Sequence, residues 1–285
     1  MGNDSLAAIE PALRFGAFLG VFAAVALWEV LAPRRGRRFP RAQRWLHNLG
    51  LVALNAVLLR LAAPGAAIAT ALLAGERGWG LLNAVALPSW AGFALALLAL
   101  DLAVYLQHRL FHAVAPLWRL HRVHHADADF DLTTGLRFHP LEIGLSLAIK
   151  CAAIAALGAP AAAVLVFEIV LNAAAVFNHA NARLPASVDR WLRWLVVTPD
   201  MHRVHHSVLR AETDSNFGFN VPWWDRLFGT YRAQPRAGHT AMRIGVTGFL
   251  GDAERRLPRL LLQPFRDPDP AGDADAPAGT LNHSR

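Results

Sequence analysis

With 285 residues, the chain is long enough for one large domain or two small ones. Its hydrophobic content of 54% exceeds the roughly 45–50% of ordinary soluble domains, and the excess lies in blocks long enough to cross a bilayer. The net charge of +7 lies beside these blocks and is almost all arginine, which indicates membrane topology and headgroup contacts and no nucleic-acid partner. The one cysteine, Cys151, excludes disulfides and cysteine-based zinc or iron–sulfur sites.

Five apolar stretches are predicted to enter the membrane as helices, which predicts an all-α, multi-pass transmembrane bundle. The residues before the first stretch, Met1 to Glu10, carry two acids and no base, so we expect a retained anchor and not a cleavable signal peptide. In chain order the stretches are Phe15–Ala32, Leu49–Ala74 with a break at Pro64-Gly65, Ser89–Gln107, Gly144–Leu157 and Ala161–Phe177.

The loop Pro33 to Arg44 holds six arginines in twelve residues. By the positive-inside rule this loop is cytoplasmic and the N-terminus lies outside. The last two apolar stretches are short for full spans, so we expect a helical hairpin that dips into or just crosses the membrane and returns the chain to the side it left. This topology places the histidines that flank the spans on the cytoplasmic face of a multi-pass protein.

Eight of the thirteen histidines fall into three tight clusters. On a helix, positions i, i+3 and i+4 lie on one face, so each cluster offers neighbouring imidazoles. Imidazole is the commonest metal ligand among side chains, and eight of them can hold two transition-metal ions such as Fe, Zn, Cu or Mn. A single HxxxH is more often a surface or packing feature, but three clusters on one predicted side favour a metal site. The clusters are His108-Arg-Leu-Phe-His112, His121-Arg-Val-His124-His125 and His202-Arg-Val-His205-His206.

Five further residues are candidates for supporting roles. Asp101 and Tyr105 continue the stripe of the first cluster along the third apolar stretch, so Asp101 either accepts the second N–H of a ligating imidazole or bonds to Arg60 or another span. Asp200 is interpreted as the cap of a helix that starts after Pro199. His179 is a candidate further ligand, and His139 a possible additional ligand or a residue that fixes a turn. The remaining histidines, His47, His239 and His283, are expected to be ordinary polar side chains.

The order HxxxH, HxxHH, HxxHH after a membrane span resembles the fatty acid hydroxylase/sterol desaturase superfamily of integral-membrane di-iron enzymes. Three stretches resemble its bacterial members, and the resemblance covers roughly residues 45 to 235. The HxxxH spacing of His108 and His112 favours this branch over the similar acyl-CoA desaturases, which usually have HxxxxH. The three stretches are Thr133-Thr-Gly-Leu-Arg-Phe-His-Pro-Leu-Glu142, Asn178-His-Ala-Asn181 and Asp214-Ser-Asn-Phe-Gly-Phe-Asn-Val-Pro-Trp-Trp-Asp-Arg-Leu-Phe-Gly-Thr-Tyr231.

The resemblance implies a helical bundle topped by a cytosolic histidine-rich cap that holds a dimetal centre. Some family members have a further histidine near the His179 motif, whereas the positions four residues either side are Ala175 and Arg183 here. One metal therefore has fewer ligands, or uses His139 or water. The ligands implied by the resemblance are His108, His112, His121, His124, His125, His202, His205 and His206, with His179 as a ninth.

The resemblance also implies a division of the chain. Residues 1–88 form N-terminal transmembrane helices and a basic loop, residues 89–235 the catalytic domain, and residues 236–285 a C-terminal extension. Within this extension, residues 264–285 are rich in Pro, Asp, Ala and Gly, which predicts a disordered tail.

The function implied is a non-haem di-iron oxidoreductase that uses O₂ to hydroxylate or desaturate a C–H bond of a membrane lipid. No haem-binding or Rossmann motif is found in the sequence, so electrons are expected from a separate electron-transfer protein. Two other hypotheses keep the metals. A transition-metal carrier or sensor would place ligands along a path inside the spans, and a zinc hydrolase would need a carboxylate base within the histidine cluster.

Overall fold

The computed structural model describes residues 3–269, 271 and 273. Within these residues the chain is helical, with isolated bridges and no strand, which confirms the predicted all-α fold. Seven helices make up the bundle and the start of the cap: α1 (Asn3–Leu31), α2 (Arg41–Ala62), α3 (Ala66–Arg77), α4 (Ser89–Ala113), α5 (Ala115–His125), α6 (Pro140–Leu157) and α7 (Ala161–Asn178). Six short helices follow: α8 (Ala186–Leu192), α9 (Pro199–His205), α10 (Arg210–Thr213), α11 (Trp223–Leu227), α12 (Gly238–Ala241) and α13 (Leu257–Leu262).

Five segments of the described chain are long and apolar enough to cross a membrane, and they match the five predicted stretches. The segments are Pro11–Leu31, Arg41–Arg77, Ser89–Ala113, Pro140–Leu157 and Ala161–Asn178. The predicted break in the second stretch is a true interruption, because Gly65 adopts a left-handed conformation with φ of 65° between α2 and α3. Pro64 next to it has no backbone N–H to offer a helix.

The bundle has an apolar core where α3, α4, α6 and α7 meet. Leu100 of α4, Ile154 of α6 and Phe167 of α7 are almost fully buried in this core. On the other side of α7, helix α1 packs through Val25 against Val176. The hairpin of α6 and α7 turns at Gly158-Ala-Pro160 and returns the chain to the end from which it came.

The cap comprises residues 114–139 and 179–269. A buried ionic network ties it to α2: the Arg44 guanidinium donates to Asp127 at 2.6 Å and to Asp131 at 2.5 Å. Both carboxylates lie in the loop that follows α5. Burying charges is costly unless they are paired and hydrogen-bonded, so this network fixes the loop against the bundle.

The start of the predicted disordered tail is packed. Arg119 of α5 donates to the carbonyl of Pro264 at 2.6 Å, and Arg266 pairs with Glu254 at 2.7 Å. The backbone N–H groups of Gly248 and Leu250 donate to Asp273. The rest of the predicted tail, including His283, lies outside the described residues.

Candidate metal centre

Nine buried histidines of the described chain form two groups, and the candidate ligand atoms within each group lie within 4.8 Å of one another. The structure therefore brings together all three predicted clusters and His179. The five-histidine group is His108, His112, His121, His125 and His205, and the four-histidine group is His124, His179, His202 and His206.

The two HxxHH clusters divide between the groups in opposite ways. On α5 the i and i+4 residues, His121 and His125, join the five-histidine group, while His124 turns to the other group. On α9 and its C-terminal cap, His202 and His206 join the four-histidine group, while His205 points to the five-histidine group. One step along a helix rotates a side chain by about 100°, so adjacent histidines at i+3 and i+4 point to different sites. Each cluster thereby spans both groups.

In each group, ring nitrogens that face the centre point their lone pairs at one another. In the five-histidine group, Nε2 of His108 lies 3.0 Å from Nε2 of His205, and the Nδ1 atom of each ring contacts a backbone carbonyl. In the four-histidine group, Nε2 of His124 lies 3.1 Å from Nε2 of His179, with the same arrangement of Nδ1 atoms. Because Nδ1–H donates outward, each Nε2 of a neutral ring is an acceptor. Two acceptors at this distance repel unless a cation lies between them.

The nitrogen positions fit metal ions well. Two ligand nitrogens at about 2.1 Å from one ion are about 3.0 Å apart when they subtend a right angle, and the opposed pairs have this separation. Nε2 of His121 and both ring nitrogens of His206 are buried without a hydrogen-bond partner. Buried polar atoms are normally satisfied, so the unpartnered imidazole nitrogens in both groups fit the role of metal ligands.

Two carboxylates support the five-histidine group. Nδ1–H of His121 donates to Glu142 Oε1 at 2.6 Å, and both side chains are almost fully buried. Nδ1–H of His112 donates to Asp214 at 3.3 Å, where the aspartate is about one-third exposed. A carboxylate behind a ligating imidazole fixes its tautomer and raises its basicity.

Backbone carbonyls provide the other outward contacts. Nδ1–H of His124 donates to Thr134 at 3.0 Å and Nδ1–H of His179 to Ala175 at 2.7 Å. Nδ1–H of His205 donates to Ser215 at 2.7 Å. These carbonyls come from loops and from α7, so folding of the cap orients the rings before any metal arrives.

Burial keeps the cap histidines neutral. Desolvation lowers the pKa of His121 to about 3 and that of His179 to about 3. It also holds the pKa of His124, His202 and His205 well below the ordinary value, with neighbouring imidazoles adding to the effect. Only the neutral ring offers a lone pair to a metal. The site is therefore set up for metal binding at neutral pH.

Gly135 allows the closest approach at the four-histidine group. A Cβ atom at this position would lie 2.1 Å from the carbonyl oxygen of Ala175 and 2.8 Å from Nδ1 of His179. Only glycine lets the loop after α5 pass this close to α7. No local pattern in the sequence marks Gly135 or Glu142, although both lie in the Thr133–Glu142 stretch that carries the family resemblance.

The structure places Asp101 and Tyr105 away from the imidazoles. Asp101 accepts from Nε1–H of Trp224 at 2.8 Å, and the hydroxyl of Tyr105 bonds to Thr230 at 2.9 Å while its ring stacks on Phe228. The structural bond is thus the observed role of Asp101, although its partner is not Arg60. Both residues hold the loop and helix of residues 217–230, whose Phe217 carbonyl accepts from His108 at 2.8 Å.

Two other expectations have different outcomes. His139 joins neither group, because Nδ1 accepts from the N–H of Leu141 as the cap of α6 and Nε2–H donates to Leu261 at 3.2 Å. The interpretation of Asp200 as a helix cap is wrong: Thr198 caps α9. Asp200 instead pairs with Arg34 at 3.1 Å and with Arg203. His47 and His239 also lie outside both groups.

A mostly apolar cavity of about 450 Å³ runs from the histidines into the bundle. It is lined by α2, α4, α6 and α7, with Leu100, Leu147 and Leu171 among its apolar residues. His108, His121 and His124 line its cap end, so both histidine groups border a space that is suited to a hydrocarbon chain.

Residues 93–230 match the family model described as fatty acid hydroxylase. This part of the chain belongs to the fatty acid hydroxylase/sterol desaturase superfamily. The resemblance noted in the sequence is thereby confirmed. The match includes all nine histidines of the two groups.

Curated relatives are similar over about half of the chain. The ornithine lipid hydroxylase OlsE of Rhizobium tropici is 32% identical over 154 residues, which cover 54% of this chain and 45% of that protein. The alkylglycerol monooxygenase of Homo sapiens is 28% identical over 150 residues, covering 51% and 31%, and that of Danio rerio 31% over 138 residues, covering 48% and 30%. The chain thus matches less than half the length of each of these relatives. No solved structure matches the chain significantly.

The five apolar segments and the superfamily together establish an integral membrane protein. The histidine groups lie where α4, α5, α7 and α9 end or begin, at the border of the apolar bundle. A hydrocarbon chain in the membrane is therefore adjacent to a site that favours metal binding.

Proposed function

We propose that the protein is a membrane-bound, non-haem di-iron oxygenase that uses O₂ to hydroxylate a C–H bond of a membrane lipid. The observation that carries the proposal is the pair of opposed Nε2 contacts, His108 with His205 and His124 with His179, beside a mostly apolar cavity. A cation is needed between the two Nε2 acceptors of each pair, and a lipid chain fits the cavity next to them.

The five-histidine group would hold one ion and the four-histidine group the other. Five imidazoles exceed the four ligands of a typical zinc site, and all-nitrogen sets suit iron among the redox-active ions. Bound iron would supply the oxidation by O₂ that side chains cannot perform.

The chain's own residues would orient the substrate and exclude water. The apolar wall, including Leu147 and Leu171, favours a hydrocarbon over water. His121 remains neutral through burial, and Glu142 holds its ring in one orientation. The reacting carbon would lie at the cap end of the cavity, close to His108 and His124.

The names of the relatives support hydroxylation over desaturation. OlsE is named a hydroxylase of ornithine lipid, and the animal proteins are named monooxygenases of alkylglycerol. Both names describe a lipid that carries a polar group. We propose a lipid of this kind as the substrate of this protein. The family match covers residues 93–230. This range is almost the whole of the proposed catalytic domain, residues 89–235, and so supports its boundaries.

We propose that the histidine face is cytoplasmic and that the membrane is a bacterial inner membrane. The six arginines between Pro33 and Arg44 support this orientation, because Arg44 is tied to the loop after α5 in the cap. Electrons would come from a separate protein, since no haem-binding or Rossmann motif is found in the sequence.

A metal carrier or sensor is the alternative. A carrier needs ligands spaced along a path between helices, whereas the nine histidines are gathered in one buried site at the end of the bundle. A zinc hydrolase is also disfavoured, because it needs a carboxylate base within the histidine cluster. Glu142 instead bonds to Nδ1 of His121, the ring nitrogen that points away from the other histidines.

The test is expression in a bacterial host that lacks the native gene, followed by iron analysis of the purified protein and untargeted lipid mass spectrometry of the membranes. We expect two irons per chain and a lipid species heavier by one oxygen. His124→Ala should abolish the new species, and His47→Ala, outside both groups, should retain it. An unchanged lipid profile from iron-loaded protein with an active reductant would refute the proposal.

A further inference from the structure

Lys150 and Glu168 form an ion pair in the wall of the cavity, away from the histidines. The ammonium group of Lys150, on α6, contacts Oε1 of Glu168, on α7, and both residues line the cavity. Arg14 of α1 contacts the other carboxylate oxygen at 2.6 Å and does not line the cavity. Lys150 is the only lysine in the chain.

A charged pair within a span is costly and is by default a functional feature. Glu168 is almost fully buried, whereas the side chain of Lys150 is 21% accessible. The ammonium has three N–H donors, and one is used by Glu168. The remaining donors are available to a molecule in the cavity.

The pair lies at a defined distance from the metal site. Lys150 is two turns beyond Glu142, the partner of His121, which corresponds to about 12 Å along α6. On α7, Glu168 precedes Ala175, the partner of His179, by about 10 Å. The spacing along both helices therefore gives a separation of about 10–12 Å between the Lys150–Glu168 end of the cavity and its histidine end.

The wall between the two ends of the cavity is mostly apolar. Leu147, Val104 and Leu171 are apolar, and the amide of Gln107 donates to Ser146 at 2.9 Å. The amide of Asn172 also lines the cavity, but Lys150 is the one lysine or arginine among the described lining residues. A carboxylate or carbonyl oxygen of a lipid therefore meets its cationic hydrogen-bond donor at Lys150.

We propose that Lys150, held by Glu168, binds a carboxylate or carbonyl oxygen of the lipid in the cavity and so determines which carbon reaches the histidines. This inference rests on the proposed function for its consequence, the position of oxidation. A distance of about 12 Å corresponds to about nine or ten carbon–carbon bonds of an extended chain, at about 1.5 Å for each bond and a zigzag advance of about 1.25 Å.

Photolabelling of the iron-loaded, full-length protein in lipid nanodiscs tests the proposal. The probes are decanoic acid with a diazirine at its last carbon, its methyl ester, and a decane with the diazirine at one end and no oxygen. Labelled residues are mapped by mass spectrometry. With the oxygen at Lys150, the acid should label the histidine end, at Phe111 or Phe138, and the decane should show no such preference. Preference of the acid over the ester identifies the carboxylate as the group bound, and equal labelling identifies the carbonyl.

Lys150→Met should reduce labelling at the histidine end by about 10–100-fold, the range for loss of a hydrogen bond to a charged group. Lys150→Arg should restore it, and Arg60→Gln, at an exposed arginine that does not line the cavity, should leave it unchanged. The same labelling in Lys150→Met and wild type, or by the acid and the decane, would overturn the proposal. Turnover is measured separately: loss of the proposed oxygenase activity leaves this labelling pattern unaffected, so the two failures are distinguishable.

Discussion

The two histidine groups are built from the same helices but differ in number and support. Helices α5 and α9 each give two histidines to one group and one to the other, in opposite senses. The difference comes from the third contributor. Helix α4 gives His108 and His112 to one group, whereas the end of α7 gives only His179 to the other, and four residues before it stands Ala175. The four-histidine group therefore lacks one imidazole that symmetry would supply.

The surroundings of the groups differ in the same direction. Glu142 and Asp214 lie behind two rings of the five-histidine group, whereas Nδ1–H of His124 and Nδ1–H of His179 donate to backbone carbonyls. Carboxylates make an imidazole a stronger ligand than carbonyls do. We expect the five-histidine group to hold its ion more tightly, and the four-histidine group to retain more open coordination positions for O₂ chemistry.

The largest effect should come from removing one ligand from each group. His206→Ala leaves three imidazoles in its group and His112→Ala leaves four in the other. Both variants should lose activity by more than about 100-fold, the upper range for disturbing even an outer partner, but His206→Ala should lose more iron. Iron per chain, measured by mass spectrometry, checks this, with His47→Ala as the control. Equal iron loss would remove the distinction between the groups.

Carboxylate removal sharpens the comparison within the five-histidine group. Glu142→Ala should lower metal affinity or turnover about 10–100-fold, because it deprives a buried imidazole of its partner. Asp214→Ala should cost less, since its side chain is about one-third exposed and its contact to His112 is longer, at 3.3 Å. Iron affinity is measured by competition with a chelator. A larger loss of iron affinity in Asp214→Ala than in Glu142→Ala would show that burial of a carboxylate does not determine how strongly it supports its imidazole.

Crowding at Gly135 should affect the four-histidine group selectively. Gly135→Ala places a Cβ against Ala175 and His179, and overpacking of this kind costs about 1–3 kcal/mol. We expect loss of one iron and lower turnover. The control is Gly144→Ala, because a Cβ there meets nothing within 4 Å. Retention of both irons in Gly135→Ala would show that the loop can move away.

The last effect concerns stability and not activity: it is the pH dependence of the iron-free protein. Burial lowers the pKa of His121 and of His179 to about 3, below the value of about 6.5 in an unfolded chain. As the pH falls below 6.5 the unfolded chain binds protons first, so the folded state loses stability, by up to about 1.4 kcal/mol per pH unit for each such histidine. Melting temperatures between pH 7 and pH 5 should fall, and less so in His121→Asn and His179→Asn. A flat profile would contradict the buried, neutral state of both groups.

Much of the site could be predicted from the sequence because its signals are local. The HxxxH and HxxHH spacings place rings on one helix face, and the apolar stretches place those helices at a membrane border. The supporting residues could not be found this way. Glu142 lies 21 residues from His121, and the predicted supporting stripe of Asp101 and Tyr105 turned out to bind the 217–230 segment. Which outward partner a ring meets depends on loops folding back, and no periodicity encodes that.

The sequence by itself determined the helical class, the five apolar segments and the identity of the nine histidines. It did so because helix and bilayer impose fixed repeats and lengths on the chain. Only the tertiary structure decided how those histidines divide into five and four, because a rotation of about 100° between neighbouring residues has no consequence until a second helix lies opposite. It also decided that Gly135 allows the four-histidine group to close and that Lys150 faces the cavity, since both depend on contacts between distant parts of the chain.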